Sequence, residues 1–142
     1  MSLPVFPATL RGPLREGFSH GYGDVRRMFS PEAGPLVPRA RMSQVAEPVS
    51  LTLDLARADL AVFETFWLSD TRKGSLPFLM PDPMTDGWYL LDPQGEPMLL
   101  ADGSPILLAK TWLCLFGEKP PVVTPAQRRT RFRVAVSISV MP

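Results

Sequence analysis

Val49-Ser50-Leu51-Thr52-Leu53-Asp54-Leu55 alternates apolar and polar residues, and two positions later the pattern changes to Arg57-Ala-Asp-Leu60-Ala-Val-Phe63-Glu-Thr-Phe66-Trp67-Leu-Ser69. The first run has the period of two that puts Val49, Leu51, Leu53 and Leu55 on one face of a half-buried strand. The second places Leu60, Phe63 and Trp67 at i, i+3 and i+7, with Phe66 beside them, which is the spacing of an amphipathic helix over about 57–69. Aromatic residues on one short helix next to such a strand are expected to be core residues packed on a sheet. Asp59 and Glu64 precede Arg72 and Lys73, the order a helix dipole favours, and Gly74 is a natural stop.

The second clear strand closes the chain. Phe132, Val134, Val136, Ile138 and Val140 alternate with Arg131, Arg133, Ala135, Ser137 and Ser139. One face is apolar, and the other begins basic and ends small. Between these two strands the sequence is punctuated by proline, 17 residues in all, about twice the usual share. Proline blocks helix interiors and central ladder positions, so short strands and turns are expected rather than long helices. Candidate strands lie at Asp24–Phe29 and Leu36–Met42 around the turn Ser30–Gly34, at Leu76–Met80, at Trp88–Leu91 and at Thr111–Phe116. A small internal echo runs Asp92-Pro-Gln-Gly-Glu-Pro-Met-Leu-Leu100, then Asp102-Gly-Ser-Pro-Ile-Leu-Leu108. Both units read turn, proline, apolar triplet, as successive hairpin arms joined at Ala101–Ser104.

Residues 1–23 form an irregular arm, since Pro4, Pro7 and Pro13 with Gly12, Gly17, Gly21 and Gly23 oppose regular structure. Phe6 and Leu10 sit among these residues, so the arm is expected to dock, on its own domain or on a neighbouring subunit. The organisation is therefore an arm, 1–23, and one β-rich domain, 24–142, with a helix and a hairpin insertion over about 86–121. At 142 residues, 45% hydrophobic and 20% charged, one domain can build its own core.

Composition excludes several chemistries. The formal net charge is +1, which gives no electrostatic reason for nucleic acid or membrane as the main partner. One cysteine, Cys114, and one histidine, His20, permit neither an internal disulfide nor a Cys/His metal cluster. No secretory signal is visible, and Ile106–Phe116 is too short and too interrupted by Lys110 to span a bilayer. Gly21-Tyr-Gly23 lacks the strand and helix of a phosphate loop. Asp82, Asp86 and Asp92 lack calcium-loop spacing and read as solvated turn residues. The one basic cluster, Arg128-Arg129-Thr-Arg131-Phe-Arg133, is explained by an amphipathic strand whose aromatic points away from the arginines. These four arginines are therefore candidate inter-subunit or surface ion-pair contacts, as Phe6 and Leu10 are candidate inter-subunit contacts of the arm. No catalytic residue, metal site or cofactor is expected, and the protein is not expected to be an enzyme.

The order of elements Arg39-Ala-Arg41, Val49–Leu55, Asp59–Trp67 and Lys73-Gly-Ser-Leu-Pro-Phe78-Leu-Met-Pro81 resembles small tail proteins of bacteriophages. These include the lambdoid minor tail protein M and the N-terminal domain of distal tail proteins. The opening Leu3–Leu10 and the closing strand look like short phage-encoded proteins of the same kind. The resemblance covers residues 36–83 best and consists of patterns of residue type. It implies a tail-tube-like β-sandwich or barrel with one helix, in which Phe63, Phe66 and Trp67 pin the helix to the sheet and Phe78 lies in the facing strand. It implies a virion structural protein, assembled in the host cytoplasm, that forms a homo-oligomeric, commonly sixfold ring at the tube end or tip. Such a ring bridges the tube to hub or fibres and leaves a lumen for DNA. The same fold serves as neck, terminator or connector protein. An alternative from a different class is a carbohydrate- or nucleic-acid-binding β-module, which predicts exposed aromatics, with Trp88, Tyr89 and Trp112, outside the helix, as the residues to test.

Overall fold

A computed structural model describes residues 2–10, 12–127 and 130–142. The fold is mainly β, with antiparallel strand pairing and one helix. In chain order come β1 (Ser19–His20), β2 (Arg26–Phe29), β3 (Val37–Ala40), β4 (Glu47–Ala56) and α1 (Arg57–Thr65), which continues as one π-helical turn at Phe66–Asp70. Then follow β5 (Phe78–Pro81), β6 (Thr111–Phe116), β7 (Val122–Gln127) and β8 (Arg131–Val140). The main sheet has the order β1-β4-β8-β6-β5, with β7 also on β8, while β2 and β3 form a separate hairpin.

The two strands with the clearest alternation form the centre. β4 and β8 pair along their whole length, Glu47 opposite Val140 through Ala56 opposite Arg131. This register sets Val49 against Ile138, Leu51 against Val136 and Leu53 against Val134, all buried. The other edge of β8 is shared. β6 takes Ile138–Val140 and β7 takes Arg131–Ala135, with Gly117 between them donating its N–H to Ser137 O at 2.7 Å. A side chain on Gly117 would meet Ser137 Oγ at 2.8 Å, so glycine lets the lane bend from one strand into the next.

One face of the sheet is the core, and the helix and arm cover it. Phe63 and Phe66 are buried, Leu60 and Trp67 pack on the core half-buried, and Phe132 is half-buried at the end of β8. The Phe66 ring meets Phe6 and Phe78 edge-on at 5.6 and 5.3 Å. Phe116 joins this cluster through Phe78 at 4.9 Å and Trp67 at 4.7 Å. The helix ends differently from its sequence signals. Thr71 N–H bonds to Phe66 O at 3.0 Å, an i to i+5 closure, and the buried Thr71 hydroxyl donates to Trp67 O at 2.9 Å. Arg72, Lys73 and Gly74 then take left-handed conformations, so the two cations lie beyond the last helical turn. Gly74 is required there, since a Cβ would lie 2.7 Å from the Trp67 ring.

The arm is less irregular than its prolines suggest. Val5 bridges Leu79 in parallel, with Phe6 N–H donating to Leu79 O at 2.8 Å. Leu14 N–H donates to Thr52 O at 2.8 Å, and β1 pairs with β4 at Val49 and Ser50. The arm therefore runs from the β5 edge to the β4 edge of its own sheet, satisfying backbone groups on both. Of the two dockings expected for the arm, on its own domain or on a neighbouring subunit, the structure shows the first, and burial takes Leu10 out of the candidate inter-subunit contacts. Leu10 is buried in its own core, and Phe6 packs half-buried against it, edge-on to Phe66.

Candidate functional site

Three features stand outside the core. The largest occupies residues 87–110 and corrects the expected string of hairpin arms, as well as the separate strand expected at Trp88–Leu91. The sequence there is a threefold octapeptide: Gly87-Trp-Tyr-Leu-Leu-Asp-Pro-Gln, Gly95-Glu-Pro-Met-Leu-Leu-Ala-Asp and Gly103-Ser-Pro-Ile-Leu-Leu-Ala-Lys. Each unit opens on a left-handed glycine, with φ of 80°, 89° and 86°. Met98 N–H donates to Leu90 O, Ile106 N–H to Met98 O, and Leu90 N–H to Ile106 O, at 2.8–2.9 Å, so the three units close into a ring. The bridges repeat with the same symmetry: Leu91 with Pro97, Leu99 with Pro105, Tyr89 with Leu107. We call this element the trefoil.

Acidic residues hold the trefoil in shape. Asp92 Oδ1 accepts from Gln94 and Glu96 N–H, and Asp102 accepts from the Ser104 N–H and hydroxyl. The Ser104 hydroxyl holds the Asp102 carboxyl below the usual carboxylate range. At the base, Asp82 is buried, accepts from Met84 N–H at 2.8 Å and faces Lys110 Nζ at 3.5 Å, while Asp86 accepts from Lys110 N–H at 2.9 Å. Asp82 is thus a buried anchor, which corrects its expected place as a solvated turn residue. The ring leaves many of its apolar side chains outside, while Leu90, Ile106 and Leu108 are half-buried. Leu91, Leu99 and Leu107, equivalent positions of the three units, are 52%, 60% and 54% exposed.

The second feature is the β2–β3 hairpin, exposed on both faces. Met28, Phe29, Leu36 and Val37 are all exposed on it. Arg27 lies directly opposite Arg39, and Phe29 opposite Val37 on the same face. Arg26, on the other face, pairs with Asp24 at 3.0 Å, and that hydrogen bond lowers the Asp24 pKa. The third feature is β7, exposed throughout and paired only with β8 among the described residues. Its proline, Pro125, fits an edge position because it has no N–H to donate.

The basic cluster is divided by the structure. Arg131 grips Asp54 across β4 and β8, with Nε and Nη2 at 3.2 and 3.0 Å from the two carboxylate oxygens. That hydrogen bond raises the Arg131 pKa. Of the two places expected for it, inter-subunit contact or surface ion pair, Arg131 takes the second, within the chain. Arg133 is exposed, cross-strand from Asp54 and Thr124. Arg128 and Arg129 lie outside the described residues. Among the candidate binding aromatics, Trp88 and Tyr89 are exposed, whereas Trp112 is buried.

Reactive side chains are few. Burial pushes the Cys114 thiol up from 9.0 to about 12, which removes it as a nucleophile near neutral pH. His20 is engaged by Glu47 and stacks edge-on to Trp112 at 5.5 Å. Among the described residues, no three His, Cys, Asp or Glu side chains converge as a metal site, and no helix is long and apolar enough to cross a membrane. An open apolar groove of about 910 Å³ runs under the arm, past Phe6, Leu14, Phe18, Met80 and Met84. Sequence reasoning missed the trefoil's third unit, since Trp88 and Tyr89 stand where the other two units carry a polar residue and proline. The period-eight glycines were the available signal. No family model and no curated protein matches the sequence.

Proposed function

We propose that this chain is a structural protein of a bacteriophage tail, with a tail-tube-like fold akin to the minor tail protein M or the distal tail N-terminal domain. Copies assemble into a ring, sixfold by the resemblance, at the tube end or tip, bridging tube to hub or fibres around a lumen that passes DNA. The observation that carries this is the pair of apolar projections, trefoil and hairpin, that stand outside the core. Surfaces of that kind are seldom left exposed on a monomer. The open edge of β7 supports assembly as well, because unpaired backbone groups invite a neighbouring strand. A ring of the same fold at the neck, as terminator or connector, shares all of these features.

Exposed Trp88 and Tyr89 favour a second function, a binding module for carbohydrate or nucleic acid. Light scattering over a concentration series, followed by electron microscopy, separates the two. A discrete oligomer near six subunits with a central hole is the expected outcome. A strict monomer that binds a glycan or oligonucleotide, and loses binding in Trp88→Ala, would favour the module.

A further inference from the structure

We propose that the trefoil of one copy docks on the β2–β3 hairpin of a second copy, with Glu96 set against the paired guanidiniums of Arg27 and Arg39. This rests on the self-assembly proposed above and names the surfaces that carry it.

The two projections are complementary in charge. Between Gly87 and Ala109 the trefoil carries Asp92, Glu96 and Asp102 and no basic residue. Between Val25 and Met42 the hairpin carries Arg26, Arg27, Arg39 and Arg41 against Glu32 alone. Both are apolar between their charges: Leu91, Leu99 and Leu107 on one, Phe29, Leu36 and Val37 on the other, all exposed. Contact would remove apolar area from water on both sides while opposite charges meet at the rim.

Arg27 and Arg39 single out the spot. They are direct cross-strand partners, and like charges so placed destabilise a hairpin. Arg26 has Asp24 to offset it, whereas no acid among the described residues pairs with Arg27 or Arg39. With Phe29 they line a cleft of about 340 Å³. Two guanidiniums beside an aromatic form a site for a carboxylate, which arginine binds in a bidentate fork. Glu96 meets that need, because its exposed side chain makes no hydrogen bond or ion pair with a described residue, unlike Asp92 and Asp102. No hydrogen bond or ion pair among the described residues joins the trefoil to the hairpin of the same chain. Docking unlike surfaces is heterologous, so repetition gives a closed ring or an open filament.

The test is a charge exchange read by sedimentation velocity over a concentration series, with thermal melting as a check of folding. Arg27→Glu with Arg39→Glu, and separately Glu96→Arg, are each expected to weaken self-association by at least about tenfold. An equimolar mixture of the two variants restores it, since every trefoil then faces an opposite hairpin. Restoration is a gain of function that a misfolded variant cannot give. Loss in both variants without restoration overturns the pairing. Wild-type assembly in both variants overturns it too, but leaves the ring standing on other surfaces. A wild-type chain that stays monomeric overturns the docking and, with it, ring formation in free solution. An effect independent of protein concentration overturns docking between copies in favour of closure within one chain.

Discussion

The central sheet and the trefoil use the same residues to opposite effect. Leu51, Leu53 and Leu55 in β4 are 0–2% exposed, whereas Leu91, Leu99 and Leu107 of the trefoil are more than half exposed. The difference lies in which way the backbone spends its hydrogen bonds. In β4 the ladder runs sideways to β8, so side chains project from the faces and one face meets the helix and arm. In the trefoil, three short units bond to each other around a small ring, and Leu91, Leu99 and Leu107 are left outside it. Hydrophobicity marks a residue for burial, and the local closure decides whether burial happens inside the chain or waits for another molecule.

That contrast can be broken first in the core. Phe66→Ala removes the ring that meets Phe6, Phe78 and Phe116 together, and is expected to cost about 3–5 kcal/mol in denaturant unfolding. A cost below about 1 kcal/mol would mean that the aromatic cluster is not the centre of the core. Next comes Gly74→Ala, which forces a Cβ against Trp67 in a left-handed conformation. A loss of about 1–3 kcal/mol is expected. The melting temperature should fall accordingly, and an unchanged value would show that the helix end can rearrange.

The smallest expected effect sharpens the comparison from the other side. Leu99→Ser in the trefoil should change unfolding free energy by no more than about 0.5 kcal/mol, because the side chain is already solvated. Its sedimentation profile should shift toward monomer. A large loss of stability with unchanged association would place Leu99 with the core leucines and remove the distinction.

Alternation and helical spacing carried a large part of the fold in the sequence. β4, β6 and β8 and the aromatic helix were legible because their burial follows simple periods. β7 was not, since Pro121 and Pro125 flank and interrupt an exposed run with no burial pattern. The π-helical turn at Phe66–Asp70 was hidden for another reason. It is closed by the Thr71 N–H on Phe66 O, five residues apart, and by the Thr71 hydroxyl on Trp67 O, and a spacing of apolar residues does not tell such a closure from an α-helical one. Of the candidate contacts, Arg131 was visible as a cation, but its partner Asp54 lies 77 positions away.

By itself, then, the sequence determined which side chains would seek a core and that one helix would follow one strand, because these are properties of neighbouring residues. Tertiary structure alone decided three things. It set the arm across both edges of its own sheet, closed the octapeptides into a ring, and placed Arg27 opposite Arg39. Each depends on backbone groups or charges brought together from distant positions, and proximity of that kind is a product of folding rather than of composition.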